Sequence, residues 1–324
     1  MPKLFHVIAI AFAALLVNQA QAEDKDCTLK LIASLPMSDA LPQRVVVEVS
    51  IAGQPKHFVV DTGGVYSTIY SDVSDALGLQ THAIDQNIEI YDVAGDKSKR
   101  YAFVPSLKLG ELKGDDIPLM VDRRAAGGNA TIDGVLGPDV LSRFDLEFDI
   151  AGKKLNLISP DHCEGKVVYW SEAYAEVPFS FSDAHILLPM TLDGHEIKAI
   201  LDTGAIETHL SEQIGKKVFG LSETSPGMER IPDAASDSLE QYRRRFASLG
   251  LAGLTIANPL IYILPDRAAE SFRNSHMDRL ELDPVHASHL QTPDLLLGMN
   301  VLSKLHFYVA YREHKLYFTA ANVH

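Results

Sequence analysis

Hydrophobic positions along the chain form short runs rich in β-branched residues, and turn residues separate these runs. Residues 44–51 read Arg-Val-Val-Val-Glu-Val-Ser-Ile, and a turn at 52–54 precedes a second apolar run at 57–60. β-branched residues favour strands, and a short Gly-containing turn between two such runs indicates a hairpin. The same pattern returns at 186–191, followed by a turn at 192–194. The pattern therefore predicts a mainly β protein, with short helices around 71–77 and 211–218.

The recurrence of this pattern is part of a longer internal repeat. FVVDTGGVYSTIY begins at residue 58 and AILDTGAIETHL begins at residue 199, so two Asp-Thr-Gly triplets lie 202 − 61 = 141 positions apart. Further on, GPDVLSRFDLEFDIAGKKLNLI from Gly137 aligns with GMNVLSKLHFYVAYREHKLYFT from Gly298, at an offset of 161. A 20-residue insertion within 265–294 accounts for the change (161 − 141), and we interpret it as a surface loop, with a lid or a docking arm as the alternative. We interpret the chain as two copies of one unit.

The polar stretch SPDHCEGK, residues 159–166, is the best candidate for a linker between the copies. The predicted domains are then a first β lobe over 23–162 and a second over 163–324. Each lobe carries one Asp-Thr-Gly.

The N-terminal residues 1–22 predict a secretory signal peptide. They combine Lys3, an apolar run over 4–17 and a small-x-small cleavage site, Ala20-Gln21-Ala22. We expect no membrane span after cleavage, and a periplasmic or secreted protein. Two cysteines then remain, Cys27 and Cys163. In an exported chain they suggest one disulfide, with two free thiols as the alternative.

Charge and composition argue against several classes of partner. The net charge of −14 argues against nucleic acid and against an anionic membrane surface. Metal binding is not expected with two thiols, and His286-x-x-His289 lacks the spacing of a zinc site. No cofactor is predicted.

The two Asp-Thr-Gly triplets suggest a specific chemistry if the copies pack about an approximate twofold axis. Asp61 and Asp202 would then face one another, and two close carboxyls share a proton and titrate as a pair. One would act as a base on water while the other donates a hydrogen bond to a carbonyl oxygen. The flanking residues would support the loops through tight turns and hydroxyl hydrogen bonds: Thr62, Gly63, Thr203 and Gly204.

The duplicated motif resembles the aspartic proteases. Each half adds an apolar-apolar-Gly, Val135-Leu136-Gly137 and Leu296-Leu297-Gly298, which in that family crosses behind the catalytic loop and supports it. The resemblance implies a bilobal β fold with an interlobe cleft, Asp61 and Asp202 as catalytic residues, and hydrolysis of a protein or peptide substrate. The similar halves favour the retropepsin-like branch, as a dimer written in one chain that is active without a partner.

The sequence departs from pepsin-like enzymes after each triplet. Gly64 and Ala205 stand where those enzymes carry a hydroxyl residue, and the loss of a hydrogen bond to an ionised carboxylate raises its pKa. We therefore expect an activity optimum in the mildly acidic to neutral range. The hairpins at 91–101 and 232–242 match the flaps of the family, and Tyr91 is a candidate to cover the cleft or a plain strand tyrosine.

Two other functions stay open on the sequence alone. A protein of this fold could bind peptides or proteins without turning them over, or hydrolyse a bond other than a peptide bond. Both acids and both glycine turns are intact, which favours catalysis over a silent binding module.

Overall fold

A computed structural model describes residues 27–85, 90–91, 97–124, 129–231, 241–265 and 293–321 of the chain. The predicted signal peptide, the tip of the first flap hairpin, most of the second flap hairpin and nearly all of the 265–294 insertion lie outside these residues. Among the described residues, no helix has the length and apolar character needed to cross a membrane.

The first copy contains twelve described strands and two short helices. The strands are β1 Leu31–Pro36, β2 Val46–Ile51, β3 Gln54–Val60, β4 Thr68–Tyr70, β5 Thr81–Ala83, β6 Ile90–Tyr91, β7 Lys97–Ser98, β8 Arg100–Leu109, β9 Leu112–Asp122, β10 Gly134–Leu136, β11 Asp145–Asp149 and β12 Lys154–Ile158. The helices are α1 Ser71–Ala76 and α2 Pro138–Leu141.

The second copy repeats this order over the described residues. Its strands are β13 Ala175–Pro178, β14 Ser180–Ser182, β15 His185–Leu192, β16 His195–Leu201, β17 His209–Ser211, β18 Glu229–Arg230, β19 Tyr242–Arg245, β20 Ser248–Leu251, β21 Leu254–Ala257, β22 Leu260–Leu264, β23 Leu295–Leu297, β24 Leu305–Ala310 and β25 Lys315–Ala320. Its helices are α3 Glu212–Phe219 and α4 Met299–Leu302.

Each copy forms a lobe around a sheet of the same connectivity. The first sheet has the order β2-β3-β10-β4-β9-β8-β5, and β2 also pairs with β8. In it β10 lies parallel to β3 and antiparallel to β4. In the second lobe β23 lies parallel to β16 and antiparallel to β17. The predicted mainly β, bilobal fold is confirmed, and so are the hairpins β2–β3 and β15–β16.

A third sheet joins the two lobes. Its order is β1-β12-β11-β24-β25-β13, and its centre is the antiparallel pair β11–β24, one strand from each copy. Phe148 and Phe307 lie opposite each other there and stack, with ring centroids 4.5 Å apart. His306 Nε2 lies 2.9 Å from a carboxylate oxygen of buried Glu147. Buried aromatic pairs stabilise beyond the area that they bury, so this sheet fixes one lobe against the other.

The two helices that follow the Asp-Thr-Gly triplets lie where the sequence predicts them. α1 covers 71–76 and α3 covers 212–219. α3 ends at Gly220, whose φ of 61° is left-handed. Glycine adopts this conformation without the steric cost of a side chain, so the residue type explains the end of the helix.

Candidate active site

Two buried strands carry Asp61 and Asp202 to equivalent places in the two lobes. Each residue directly follows the apolar end of its strand, β3 or β16. The Asp61 N–H donates to Leu136 O at 2.9 Å, and the Asp202 N–H donates to Leu297 O at 3.1 Å. Because those carbonyls belong to the neighbouring parallel strands β10 and β23, the sheets hold both acids from behind.

Backbone N–H groups of each loop bind the carboxylate that begins it. Gly63 N and Gly64 N each donate to Asp61 Oδ1 at 2.9 Å. In the second loop, Gly204 N and Ala205 N donate to Asp202 Oδ1 at the same distance. Two N–H donors stabilise the ionised form of a carboxyl. Each loop therefore binds Oδ1 of its own aspartate and makes no such bond to Oδ2.

The two threonines lock the loops together across the axis. The Thr62 hydroxyl donates to Leu201 O and the Thr203 hydroxyl donates to Val60 O, both at 2.7 Å. Each hydroxyl oxygen also accepts a hydrogen bond from the backbone N–H of the other threonine at 3.1 Å. Both side chains are fully buried. Four buried hydrogen bonds therefore fix the distance between the loops.

Steric constraints require glycine at positions 63 and 204. A Cβ on Gly63 would lie less than 3.0 Å from the carboxyl group of Asp202, and a Cβ on Gly204 would collide in the same way with that of Asp61. Each carboxyl thus lies directly over the glycine of the opposite loop. Neither glycine has a positive φ, so the expected tight turn is not what demands glycine here. The expectation that these residues bring N–H groups to the acids agrees with the hydrogen bonds.

The two carboxyl groups lie close enough to interact, and their electrostatic surroundings differ. Burial raises the pKa of Asp61, while the N–H groups of its loop, the interaction with Asp202 and the charge of Arg44 oppose that rise. Burial also raises the pKa of Asp202, and the negative charge of Asp61 raises it further. Asp202 is 9% exposed, and Asp61 is half-buried. Both shifts therefore favour a pair that shares one proton over a pair of ionised carboxyls.

The family model described as aspartyl protease matches two regions, residues 47–140 and 188–301, which together exceed half of the chain. The chain belongs to the aspartyl protease family. The matches begin 188 − 47 = 141 positions apart and end 301 − 140 = 161 apart. These are the two offsets of the internal repeat, so each copy matches one unit of the aspartyl protease family. No curated protein matches the chain.

A second layer supports each aspartyl protease loop from below, at the glycine motifs singled out in the sequence. A Cβ on Gly137 would lie 2.7 Å from the carbonyl carbon of Tyr66, and one on Gly298 would collide with the backbone of Glu207. The backbone after each Asp-Thr-Gly loop thus packs directly on these glycines. This packing agrees with the loop support expected of the two residues, and its effect on activity stays a prediction.

Sequence reasoning missed the polar residues of this layer. The Ser67 hydroxyl donates to Asp139 Oδ1 at 2.7 Å and accepts from Gly137 N at 2.9 Å. In the second lobe the hydroxyl of Thr208 binds Asn300 Oδ1 at 2.6 Å and accepts from Gly298 N at 3.1 Å. The repeat offsets could have found them, since 208 − 67 = 141 and 300 − 139 = 161.

The remaining predicted residues have separate outcomes. Cys27 and Cys163 form a disulfide, so the alternative of two free thiols is wrong. Tyr91 lies in β6, which pairs antiparallel with β7 in the described part of the predicted first flap. Its suggested contact with substrate stays a prediction. Residues 232–240 of the second flap lie outside the described residues.

Proposed function

We propose that the chain is an exported aspartic endopeptidase of the retropepsin-like branch that works as a single chain. The observation that carries this proposal is the matching placement of Asp61 and Asp202, each with its carboxyl over the glycine of the opposite loop, in loops that two threonines hold together. The substrate is a flexible peptide segment of a protein. The lobes are those expected from the sequence, residues 23–162 and 163–324, and water enters between them.

The chemistry follows from the unequal carboxyls. Ionised Asp61 takes a proton from a water molecule as the water oxygen bonds to the carbonyl carbon of the scissile peptide, and Asp202 gives its proton to the carbonyl oxygen. The product of this step is a tetrahedral diol. When the C–N bond breaks, Asp61 returns its proton to the leaving nitrogen, and a diol hydroxyl returns one to Asp202. The dyad is restored with one proton, and no covalent enzyme intermediate forms.

The assignment to the retropepsin-like branch has two supports. The lobes repeat one topology around their acid loops, as two identical subunits would. Gly64 and Ala205 provide N–H donors but no hydroxyl to the carboxylates. Gly137 and Gly298 hold the loops from behind in this proposal, and Tyr91 covers the cleft.

Export is supported by two observations that do not depend on each other. Residues 1–22 have the composition of a signal peptide. The Cys27–Cys163 disulfide suits an oxidising compartment such as the periplasm or the exterior.

The test is cleavage of a fluorogenic peptide library by the mature chain from pH 3 to 8. Asp61→Asn and Asp202→Asn should each lose turnover by at least about 10³-fold, because each removes a proton-transfer group. Asp75→Asn on the exposed face of α1 is the matched control and should keep wild-type turnover. A pepstatin-like inhibitor should block the wild type.

Two outcomes would overturn the proposal. Turnover that survives both substitutions would place the chemistry elsewhere. A folded wild type that binds peptides or the inhibitor but cleaves nothing would be the silent binding module.

A further inference from the structure

His185 connects the second lobe to the catalytic loop of the first. It begins β15, is 3% exposed and lies with Nε2 2.9 Å from the carbonyl oxygen of Gly63, 122 positions away in the chain. A carbonyl oxygen only accepts hydrogen bonds, so Nε2 of His185 carries the hydrogen. A buried side chain of one lobe therefore donates to the backbone of the loop that bears Asp61.

The peptide group that accepts this hydrogen bond also binds Asp61. The carbonyl of Gly63 and the N–H of Gly64 are the two ends of one planar peptide unit. At the far end of that unit, Gly64 N donates to Asp61 Oδ1 at 2.9 Å. Hydrogen bonds in a chain polarise one another, so a donor on the carbonyl strengthens the N–H as a donor to the carboxylate. His185 both orients this peptide plane and increases its pull on negative charge at Asp61.

The position of His185 has a counterpart in the first copy that acts on the same carboxyl. Its equivalent at the repeat offset is Arg44, since 185 − 44 = 141. The positive charge of Arg44 favours the ionised form of Asp61. The duplicated position therefore carries two different residues, and both favour a negative charge on Asp61. The two lobes are nearly symmetric in backbone, and this pair makes them unequal in charge.

We propose that His185 is a positioning residue that holds the Gly63–Gly64 peptide so that Asp61, and not Asp202, is the carboxylate that takes the proton from water. The role assigned to His185 rests on the proposed peptidase chemistry. It adds to that chemistry a fixed division of labour between the acids, set by a residue outside both Asp-Thr-Gly loops.

The kinetic test compares three variants. His185→Leu removes the donor, His185→Gln keeps an N–H donor at the end of a side chain of similar reach, and His195→Gln is the control. His195 lies on the adjacent strand β16 and packs against Phe219 instead of the catalytic loops. We expect His185→Leu to lower kcat about tenfold and to change KM by no more than about twofold. A tenfold loss of rate corresponds to the free energy of one hydrogen bond in a network that includes a charged group. Its acidic limb of kcat/KM should move to higher pH, because Asp61 ionises less readily.

His185→Gln should stay within about threefold of the wild type with an unshifted acidic limb, and His195→Gln should match the wild type. An unshifted limb in His185→Leu overturns the role of His185. So does a glutamine variant as impaired as the leucine variant.

A second measurement needs neither turnover nor a variant of His185. NMR titration of ¹³C-labelled aspartate side chains in the wild type, assigned with Asp61→Asn and Asp202→Asn, shows which carboxyl ionises first. Ionisation of Asp61 at the lower pH supports the proposal, and ionisation of Asp202 first overturns it. A protein with this titration order but no peptidase activity would leave the role of His185 in the dyad intact while rejecting the proposed function.

Discussion

Thr62 and Thr203 form reciprocal hydrogen bonds: the backbone N–H of each donates to the hydroxyl oxygen of the other at 3.1 Å. Each hydroxyl then donates to the strand that precedes the other loop. Substitution of either residue leaves a buried N–H and a buried carbonyl without a partner, and each such group costs about 1–3 kcal/mol.

We therefore expect Thr62→Val to lower the free energy of unfolding by about 2–6 kcal/mol, measured by chemical denaturation. Thr62→Ser keeps the hydroxyl and should lose much less. Thr255→Val, on the exposed face of β21, is the control for a threonine that lies on the surface. Equal losses in the serine and valine variants would contradict a hydrogen-bond origin.

Gly63 and Gly215 give a matched pair for the role of space at the dyad. Gly63→Ala would push a methyl group into the Asp202 carboxyl, whereas a Cβ on Gly215 in α3 meets Leu221 Cδ1 at an ordinary 3.5 Å. A displacement of about 1 Å at reacting groups costs on the order of 10²-fold in rate, so Gly63→Ala should lose at least that in kcat/KM. Gly215→Ala should keep activity and gain up to about 1 kcal/mol of stability, as alanine favours helix. Full activity in Gly63→Ala would refute the close approach.

The pair of Asp61 and Asp202 predicts that activity does not require the strongly acidic pH that pepsin prefers. Burial and the neighbouring Asp61 charge raise the pKa of Asp202 to about 8, so the single proton persists through neutral pH. The profile of kcat/KM should peak between mildly acidic and neutral pH and fall as pH rises past the pKa of Asp202. A maximum near pH 2 would contradict this.

The raised pKa of Asp202 also predicts how the stability of the fold changes with pH. Most acids have a lower pKa in the folded state and stabilise the fold more as pH rises, and Asp202 should do the opposite. A carboxyl whose pKa is higher in the folded state stabilises the fold at low pH and loses that contribution as pH rises through the folded pKa. Asp202→Asn cannot ionise, so its thermal midpoint relative to that of the wild type should rise from about pH 4, the pKa of an unfolded aspartate, to about pH 8, the folded pKa of Asp202. A constant difference over that range would show that Asp202 does not keep its proton.

Glu147 in the central sheet predicts sensitivity to acid. Burial alone would raise its pKa, but hydrogen bonds donated by His306, Asn156 and Tyr169 outweigh burial and lower it. The stability that ionised Glu147 provides is present above the pKa of an unfolded glutamate, about 4.3, and is lost as pH falls through the lower folded value. Glu147→Gln should therefore be less stable than the wild type at pH 7, and the gap should close in acid. Glu48→Gln, on an exposed position of β2, should show no such gap.

The disulfide predicts a large effect on stability and none on the chemistry. Cys27 and Cys163 close a loop over 136 positions, which on a chain-entropy argument contributes roughly 4–5 kcal/mol. The Cys27→Ser, Cys163→Ser variant should unfold at lower denaturant concentration and keep its kcat. Reductant should shift the wild type towards the variant and leave the variant unchanged.

The sequence predicted the parts of the molecule that repeat. The Asp-Thr-Gly triplets, the hairpins before them and the glycine motifs after them recur at fixed offsets, and repetition distinguishes a motif from a chance tripeptide. The central sheet could not be predicted in this way. Its pairing of β11 with β24 joins different copies, and nothing in the local pattern of either strand states which partner it takes.

The contact of His185 with the first Asp-Thr-Gly loop could not be predicted from the sequence for a related reason. His185 reaches Gly63 across 122 positions, and a lone histidine at the start of a strand gives no sign of such a contact. The steric requirement for glycine at positions 63 and 204 also could not be predicted from the sequence, because the atoms that exclude a Cβ belong to the other lobe.

Arg44 and His185 show what a duplicated gene gains over a symmetric pair of subunits. In a dimer of identical chains, one codon specifies both copies of a position, so a mutation that suits one catalytic loop is imposed on the other. Here the two positions lie 141 residues apart in one reading frame, and each codon can mutate independently of the other. Selection could then keep arginine in one lobe and histidine in the other, and the two acids could specialise.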